Sequence, residues 1–196
     1  MVSITILLVI LPVLFIVAIL IYVSSPGPVI FVQKRVGKNG KIFNFYKFRS
    51  MVLNAEKILY QNKKLLAEYK KNSYKIFDDP RVTKIGRFIR KTSLDEFPQF
   101  VNVLKGEMSV VGPRAYKPDE LEEQLRKYPE AEHYVQDLLK VKPGITGPWQ
   151  VSGRSEINFD QRVRMDAYYA NRRSILYDLV MIIKTPMAVL KGRGAV

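Results

Sequence analysis

Every Lys, Arg, Asp and Glu of this chain stands at or beyond Lys34, so the first thirty-three residues carry no charge at all. Within that stretch, residues 4–23 form an aliphatic run interrupted only by Thr5, Pro12 and Tyr22. Such a run has about the length a helix needs to cross a bilayer's hydrocarbon core, so the segment belongs in lipid. No basic stretch precedes it and no small-residue cleavage site follows, which argues against a removable signal peptide. With all basic charge on its C-terminal side, the positive-inside tendency puts residues 34–196 in the cytoplasm. Pro12, in the middle of the run, deletes one helix hydrogen bond and crowds the preceding turn. Two readings follow. One is a bent single-pass helix, because membrane helices tolerate proline. The other is a re-entrant hairpin whose two legs of about ten residues, roughly 15 Å each, reach the midplane and return.

The part from Lys34 onward carries a net charge of +14, from 32 Lys and Arg against 18 Asp and Glu. That surplus points to an anionic partner: nucleic acid, an acidic lipid surface or a phosphorylated substrate. The absence of cysteine excludes disulfides, thiolate nucleophiles and Cys-ligated zinc, and a single histidine, His133, excludes a His-cluster metal site. Any metal must therefore rest on oxygen ligands. At 196 residues the chain holds one domain of ordinary size. The division expected is 1–28 for the membrane segment and its exit turn, and 29–196 for a single catalytic unit.

Ser24-Ser25-Pro26-Gly27-Pro28 ends the membrane segment with turn formers. Residues 29–36 and 41–48, rich in β-branched and aromatic types, flank Gly37-Lys38-Asn39-Gly40 and read as a β-hairpin. Residues 52–76 read as a helix whose Lys63, Lys64, Lys70 and Lys71 make a solvated face. After the break at Asp79-Pro80, Ile85, Phe88 and Ile89 give an apolar helical face with Arg87, Arg90 and Lys91 off it. Helices are expected over 118–139 and 156–172. The apolar 175–190, with Pro186 inside, suits a core or interfacial helix better than a second span.

The stretch richest in chemistry is Arg90-Lys91-Thr92-Ser93-Leu94-Asp95-Glu96-Phe97-Pro98-Gln99. As architecture, Ser93 and Glu96 make a capping box opening a helix through Leu104. As chemistry, two adjacent carboxylates at a helix N-terminus with Arg90 nearby are held ionised, and an ionised Asp can be a nucleophile while the pair holds Mg²⁺. Spacing alone does not decide between them. Two Gly/Pro loops each end in an arginine suited to bidentate phosphate bonding: one runs from Val110 to Arg114, the other from Lys142 to Arg154. Neither matches a Walker or dinucleotide fingerprint. Trp149 suits packing and base stacking equally, and His133 reads as a surface residue.

Taken in order, six motifs resemble those of the small monotopic bacterial sugar transferases, the polyprenol-phosphate phosphoglycosyl transferases. They are Tyr46-Lys47-Phe48-Arg49-Ser50-Met51, Asp79-Pro80-Arg81-Val82-Thr83, Thr92 to Gln99, Asn102 to Ser109, Gly112-Pro113-Arg114 and Lys142 to Gly147. The resemblance runs from Pro12 to about Gly192 and implies an α+β, predominantly helical fold. It further implies a re-entrant helix broken at Pro12, a β-hairpin and interfacial amphipathic helices on the cytoplasmic face of the bacterial inner membrane. Family members usually carry serine before that proline; Leu11 stands here. The implied activity is transfer of a sugar 1-phosphate from a UDP-sugar to undecaprenyl phosphate with release of UMP, the initiating membrane step of surface-glycan assembly. Asp95 would be the nucleophile forming a phosphosugar-aspartate, Glu96 its helper, and both would hold Mg²⁺. Lys47, Arg90, Arg114 and Arg154 match the family's basic positions as phosphate binders, and Gln150 and Asp166 match further substrate-binding positions. Anionic lipids are expected partners, nucleic acid is not, and a homodimer is allowed. The charge and the aromatic-basic tail at 46–51 would also suit a membrane-tethered nucleic-acid-binding module, with steeply salt-dependent binding as its signature. The ordered motifs favour the transferase.

Overall fold

Alternating β-branched and aromatic residues on both sides of a glycine-bounded turn make β1 (Ile30–Val36) and β2 (Ile42–Phe48) an antiparallel hairpin, as expected. The computed structural model describes residues 2–71, 76–153 and 157–191, with side chains from Leu11 to Leu190 among them. Phe31 stands opposite Lys47, Gln33 opposite Phe45 and Arg35 opposite Phe43. A period of two puts these six side chains on one face, which becomes the floor of the site. Asn39 supplies the left-handed turn residue, φ 56°, and its N–H donates to the Leu139 carbonyl at 2.7 Å, tying the hairpin tip to the rest of the domain.

The single helix expected over 52–76 is two: α2 (Ala55–Gln61) and α3 (Lys63–Lys71). Asn62 leaves helical dihedrals between them, and its Oδ1 accepts the Leu65 N–H at 3.1 Å, starting the second helix afresh. Beyond it, α4 (Lys84–Lys91) is capped by Thr83, whose Oγ1 accepts the Gly86 N–H at 2.9 Å, and α5 (Gln99–Leu104) follows. The region 118–139 also divides, into α6 (Pro118–Lys127) and α7 (Glu132–Leu138), with a 3-10 turn Pro129–Ala131 between. Pro129 has no N–H with which to continue α6. Two three-residue strands, β3 (Ser109–Val111) and β4 (Gly144–Thr146), pair in parallel inside the two Gly/Pro loops. Runs that short have no readable period, and the sequence did not disclose them. The chain closes with α8 (Pro148–Ser152), α9 (Phe159–Arg172) and α10 (Ile175–Lys191), the last running through Pro186.

The principal core joins the hairpin to α6, α7 and α9 through Val36, Tyr116, Leu121, Val135, Phe159 and Val163. A second core involves α1 (Val2–Ser24), one helix with Pro12 inside it. Leu14, Val17, Ala18 and Ile21, at helical spacing, pack against Phe48, Ile85, Ile89, Leu94 and Phe97. Away from that packed stripe α1 exposes Phe15, Ile16 and Val23, and α10 exposes Ile175, Leu176, Ile183 and Leu190. Among the described residues no helix is long and apolar enough to cross a membrane; the side chains of α1 are described only from Leu11 onward. The architecture is α+β and mostly helical.

Candidate active site

Asp95 and Glu96 do not open a helix. Ser93 sits in the left-handed region, φ 56°, and makes no side-chain capping bond; Leu94–Glu96 form a 3-10 turn, and Pro98 stands at the start of α5. The capping box is thus not formed, because Glu96 is committed elsewhere. Its Oε1 accepts a charge-assisted bond from Lys47 Nζ at 2.8 Å, and the same ammonium lies 3.5 Å from Asp95 Oδ2. Asp95 is buried. Burial pushes its carboxyl above the usual range; Lys47 and Arg90 oppose the shift and Glu96 adds to it. The flanking Leu94 and Phe97 bury against α1, so the acidic pair and the N-terminal helix share one packing unit.

Arg90 donates from Nε to Ser50 Oγ at 2.8 Å. Burial pulls its guanidinium below the ordinary value, with Asp95 and Asp79 opposing. The Asp79-to-Thr83 motif builds this placement. Asp79 Oδ1 accepts Arg81 Nε at 2.9 Å, Oδ2 accepts Nη2 at 2.6 Å, and the Thr83 N–H donates to the Ser50 carbonyl at 3.1 Å. The Asn102-to-Ser109 motif serves β2. Buried Asn102 donates from Nδ2 to the Asn44 carbonyl and to Glu107 Oε2, both at 2.6 Å, and accepts the Tyr46 N–H at 3.2 Å. These bonds hold the strand that carries Lys47 in register.

The loop after β3 delivers Arg114 to a second cationic group. Its guanidinium lies 4.8 Å from the Trp149 ring centroid, and that of Arg162 lies 5.3 Å from the same ring. Trp149 is buried, so its role is packing beneath arginines. Arg35, from β1, stands 5.2 Å over Phe45, the ring that Lys47 approaches at 5.6 Å. Glu120 Oε2 is 3.8 Å from Arg35 and its Oε1 is 4.0 Å from Arg114. Burial pushes Glu120 up, but Arg114, Arg35, Arg162 and Lys117 outweigh it and hold the carboxyl below its usual value.

Of the residues singled out in the sequence, Lys47, Arg90, Asp95 and Glu96 come together, and Arg114 joins Tyr116, Trp149 and Glu120. Gln150 lies under the second loop, donating from Nε2 to the Ile145 carbonyl. Asp166 is fully buried, its Oδ2 accepting the Arg114 N–H at 2.9 Å, so it steers the Arg114 loop from beneath. Arg154 lies outside the described residues. Sequence reasoning passed over Arg35, Ser50, Glu120 and Arg162. Strand alternation could have found the first, since Arg35 shares a face with Lys47; α9 spacing could have found Arg162, one turn before Asp166. His133 is exposed, its ring against Tyr134. The aromatic-basic tail builds no outer strip, because Lys47 turns to the carboxylates and buried Arg49 donates to the Ser25 carbonyl.

Asp166 carries a testable signature. Burial pushes its carboxyl up to about 7, against bonds from Arg114 and the charges of Arg162 and Arg114. A folded value above the unfolded value of about 4 means that ionisation opposes folding: the stability present below pH ~4 is lost as pH rises to about 7. Asp166→Asn is therefore expected to melt progressively higher than the wild type between those pH values and by a constant margin above them. A Tm difference independent of pH would contradict this.

Two adjacent carboxylates whose oxygens meet one ammonium are the donor set that a hard divalent ion takes when substrate phosphates complete its shell. Among the described residues no group of three or more His, Cys, Asp or Glu could hold a metal, so an ion at Asp95 and Glu96 would depend on those phosphates.

The family model for bacterial sugar transferases matches residues 1–192, and the chain belongs to that family. It is 47% identical over 176 residues to the undecaprenyl-phosphate galactose phosphotransferase of Salmonella typhimurium, covering 86% of this chain and 35% of that protein. It is 44% identical over 192 residues to the UDP-glucose:undecaprenyl-phosphate glucose-1-phosphate transferase of Escherichia coli, covering 95% and 37%. Against the exopolysaccharide production protein ExoY of Sinorhizobium fredii, identity is 39% over 187 residues, covering 94% and 80%. The chain thus spans about a third of the length of the first two relatives.

Proposed function

We propose that the chain transfers a sugar 1-phosphate from a UDP-sugar to undecaprenyl phosphate, releasing UMP, as the initiating step of surface-polysaccharide synthesis. The observation that carries this reading is the buried Asp95 beside Glu96 and Lys47, on a turn packed against the apolar N-terminal helix. The relatives named for undecaprenyl-phosphate transfer support the donor and acceptor classes. An Asp95 Oδ attacks the β-phosphorus, the bond from that phosphorus to the bridging oxygen breaks, and UMP leaves with the electron pair. An oxygen of the prenyl phosphate then attacks the phospho-aspartate and returns Asp95 as carboxylate. Lys47 and Arg90 bind and orient the reacting phosphates. Mg²⁺ held by Asp95 and Glu96 would supply further neutralisation of phosphate charge. The test is UMP release from a panel of UDP-sugars with undecaprenyl phosphate and Mg²⁺; no release from any sugar would sink the reading.

The N-terminal helix serves this chemistry as a re-entrant element with residues 29–196 on the cytoplasmic side. The proline in the middle of the uncharged run and the apolar Phe15, Ile16 and Val23 exposed away from the packed stripe support that placement. Anionic headgroups would meet Lys84, Arg87 and Lys91, which flank exposed Phe88 on α4. A cysteine introduced at Val2 is expected to react only from the cytoplasmic side, and exclusive labelling from outside the cell would exclude the hairpin.

A further inference from the structure

We propose that Arg35 and Arg162 join Arg114 in a subsite that holds the phosphate of the departing nucleotide, next to the Lys47–Asp95 end of the site. The proposal rests on the transferase reading above. Its first ground is an unbalanced buried charge. Arg35 and Arg162 are 8% and 5% exposed, and with Arg114 they surround one carboxylate, Glu120. The distances to Glu120, 3.8 Å from Arg35 and 4.0 Å from Arg114, are those of ion pairs without a hydrogen bond. Asp166 is the second carboxylate, and burial raises its carboxyl to about 7. Lys117 adds to the positive side, and Tyr69 and Tyr116, also in the cluster, stay neutral at ordinary pH because burial raises both. Buried positive charge in excess is costly, and an anion relieves it.

The second ground is the set of donors left over. Among the described residues, Nε of Arg35, Arg114 and Arg162 and the Trp149 Nε1 have no hydrogen-bond partner, nor have the neighbouring Asp166 Oδ1, Gln150 Oε1 and Tyr116 hydroxyl. The Nε edge of a guanidinium is half of the fork that grips a phosphate with two bonds. The third ground is the shared wall. Phe45 has Arg35 at 5.2 Å and Lys47 at 5.6 Å from its centroid, so a cation of the acidic pair and a cation of the arginine group share one ring. That arrangement suits two linked phosphates. The Lys47 end adjoins the turn packed on α1, where a lipid-borne phosphate arrives, whereas the arginines back onto the core of α6, α7 and α9. The water-soluble nucleotide belongs on the arginine side. As the bond to the β-phosphorus breaks, the new charge on the UMP oxygen falls to Arg35 and Arg114.

The experiment titrates the full chain in detergent with UMP, and separately with farnesyl phosphate, following the arginine Nε–H resonances. UMP is expected to shift those of Arg35 and Arg162, and farnesyl phosphate to leave them in place. Arg35→Gln and Arg162→Gln should each weaken UMP binding at least tenfold and raise KM for the UDP-sugar to a similar degree. KM for the prenyl acceptor should stay within twofold, and the Lys variants should recover part of the loss. Wild-type resonances indifferent to saturating UMP, or shifted equally by both ligands, would overturn the subsite whatever the variants do. UMP binding at these arginines without turnover of any UDP-sugar would instead remove the transferase reading and leave the subsite standing.

Discussion

Asp95→Asn is expected to reduce UMP release by roughly a thousandfold or more while raising the melting temperature. The loss follows from removing the attacking oxygen: an amide neither forms nor releases the phospho-aspartate, and the surrounding cations alone sustain only residual catalysis. The gain follows from the sign of the pKa shift. Burial first, and Glu96 with it, lift the Asp95 carboxyl above its unfolded value despite Lys47 and Arg90. The stability of the protonated form is therefore present below about pH 4 and lost as pH rises through the folded value, so ionising the group opposes folding. A neutral asparagine removes that cost, and Lys47 keeps its 2.8 Å bond to Glu96. Thermal melts at pH 4 and pH 7.5 beside the UMP assay check both parts. An inactive variant that melts lower at pH 7.5 would mean that Asp95 acts through structure, and wild-type release would remove it as nucleophile.

Gly144→Ala is expected to lower stability by about 3 kcal/mol, near the upper end of overpacking penalties, or roughly 10 °C in Tm for a chain of this size. The reason is a backbone crossing. The Gly112 N–H donates to the Thr146 carbonyl and the Gly144 N–H to the Pro113 carbonyl, each at 2.9 Å. A Cβ at Gly144 would overlap the Gly112 amide nitrogen, and one at Gly112 would come 2.6 Å from the Lys142 carbonyl oxygen. Neither neighbour is a flexible side-chain end that could swing away. Forcing the loops apart displaces Arg114 from Trp149 and from its bond to Asp166, so UMP affinity should fall with the melting temperature. A variant melting within 2 °C of wild type would show that the crossing relaxes without cost.

The same crossing shows where sequence reading stopped. The hairpin was legible because seven-residue strands have a period and a glycine-bounded turn has a signature. β3 and β4 are too short for either, and what pairs them is a contact between loops thirty-odd residues apart. The acidic pair was legible as a pair, but its local conformation was not: S-x-x-E satisfies the capping rule, yet Ser93 turns left-handed with its N–H on the Arg90 carbonyl, and Glu96 pairs with Lys47 from β2. The divisions at Asn62 and Pro129 were written in ordinary breaker residues that amphipathic periodicity outvoted.

By itself the sequence determined the uncharged N-terminal helix, the hairpin, the exclusion of cysteine- and histidine-cluster chemistry and the motifs that carry the family, since each depends on residue type or near-neighbour spacing. The tertiary structure decided which charges meet. It put Arg35 and Lys47 against one ring, placed Asp166 under the Arg114 loop, turned Arg49 inward and set Leu94 and Phe97 on α1. Burial and partner choice fix the electrostatics of a carboxylate or a guanidinium, and both arise from packing between segments far apart in the chain.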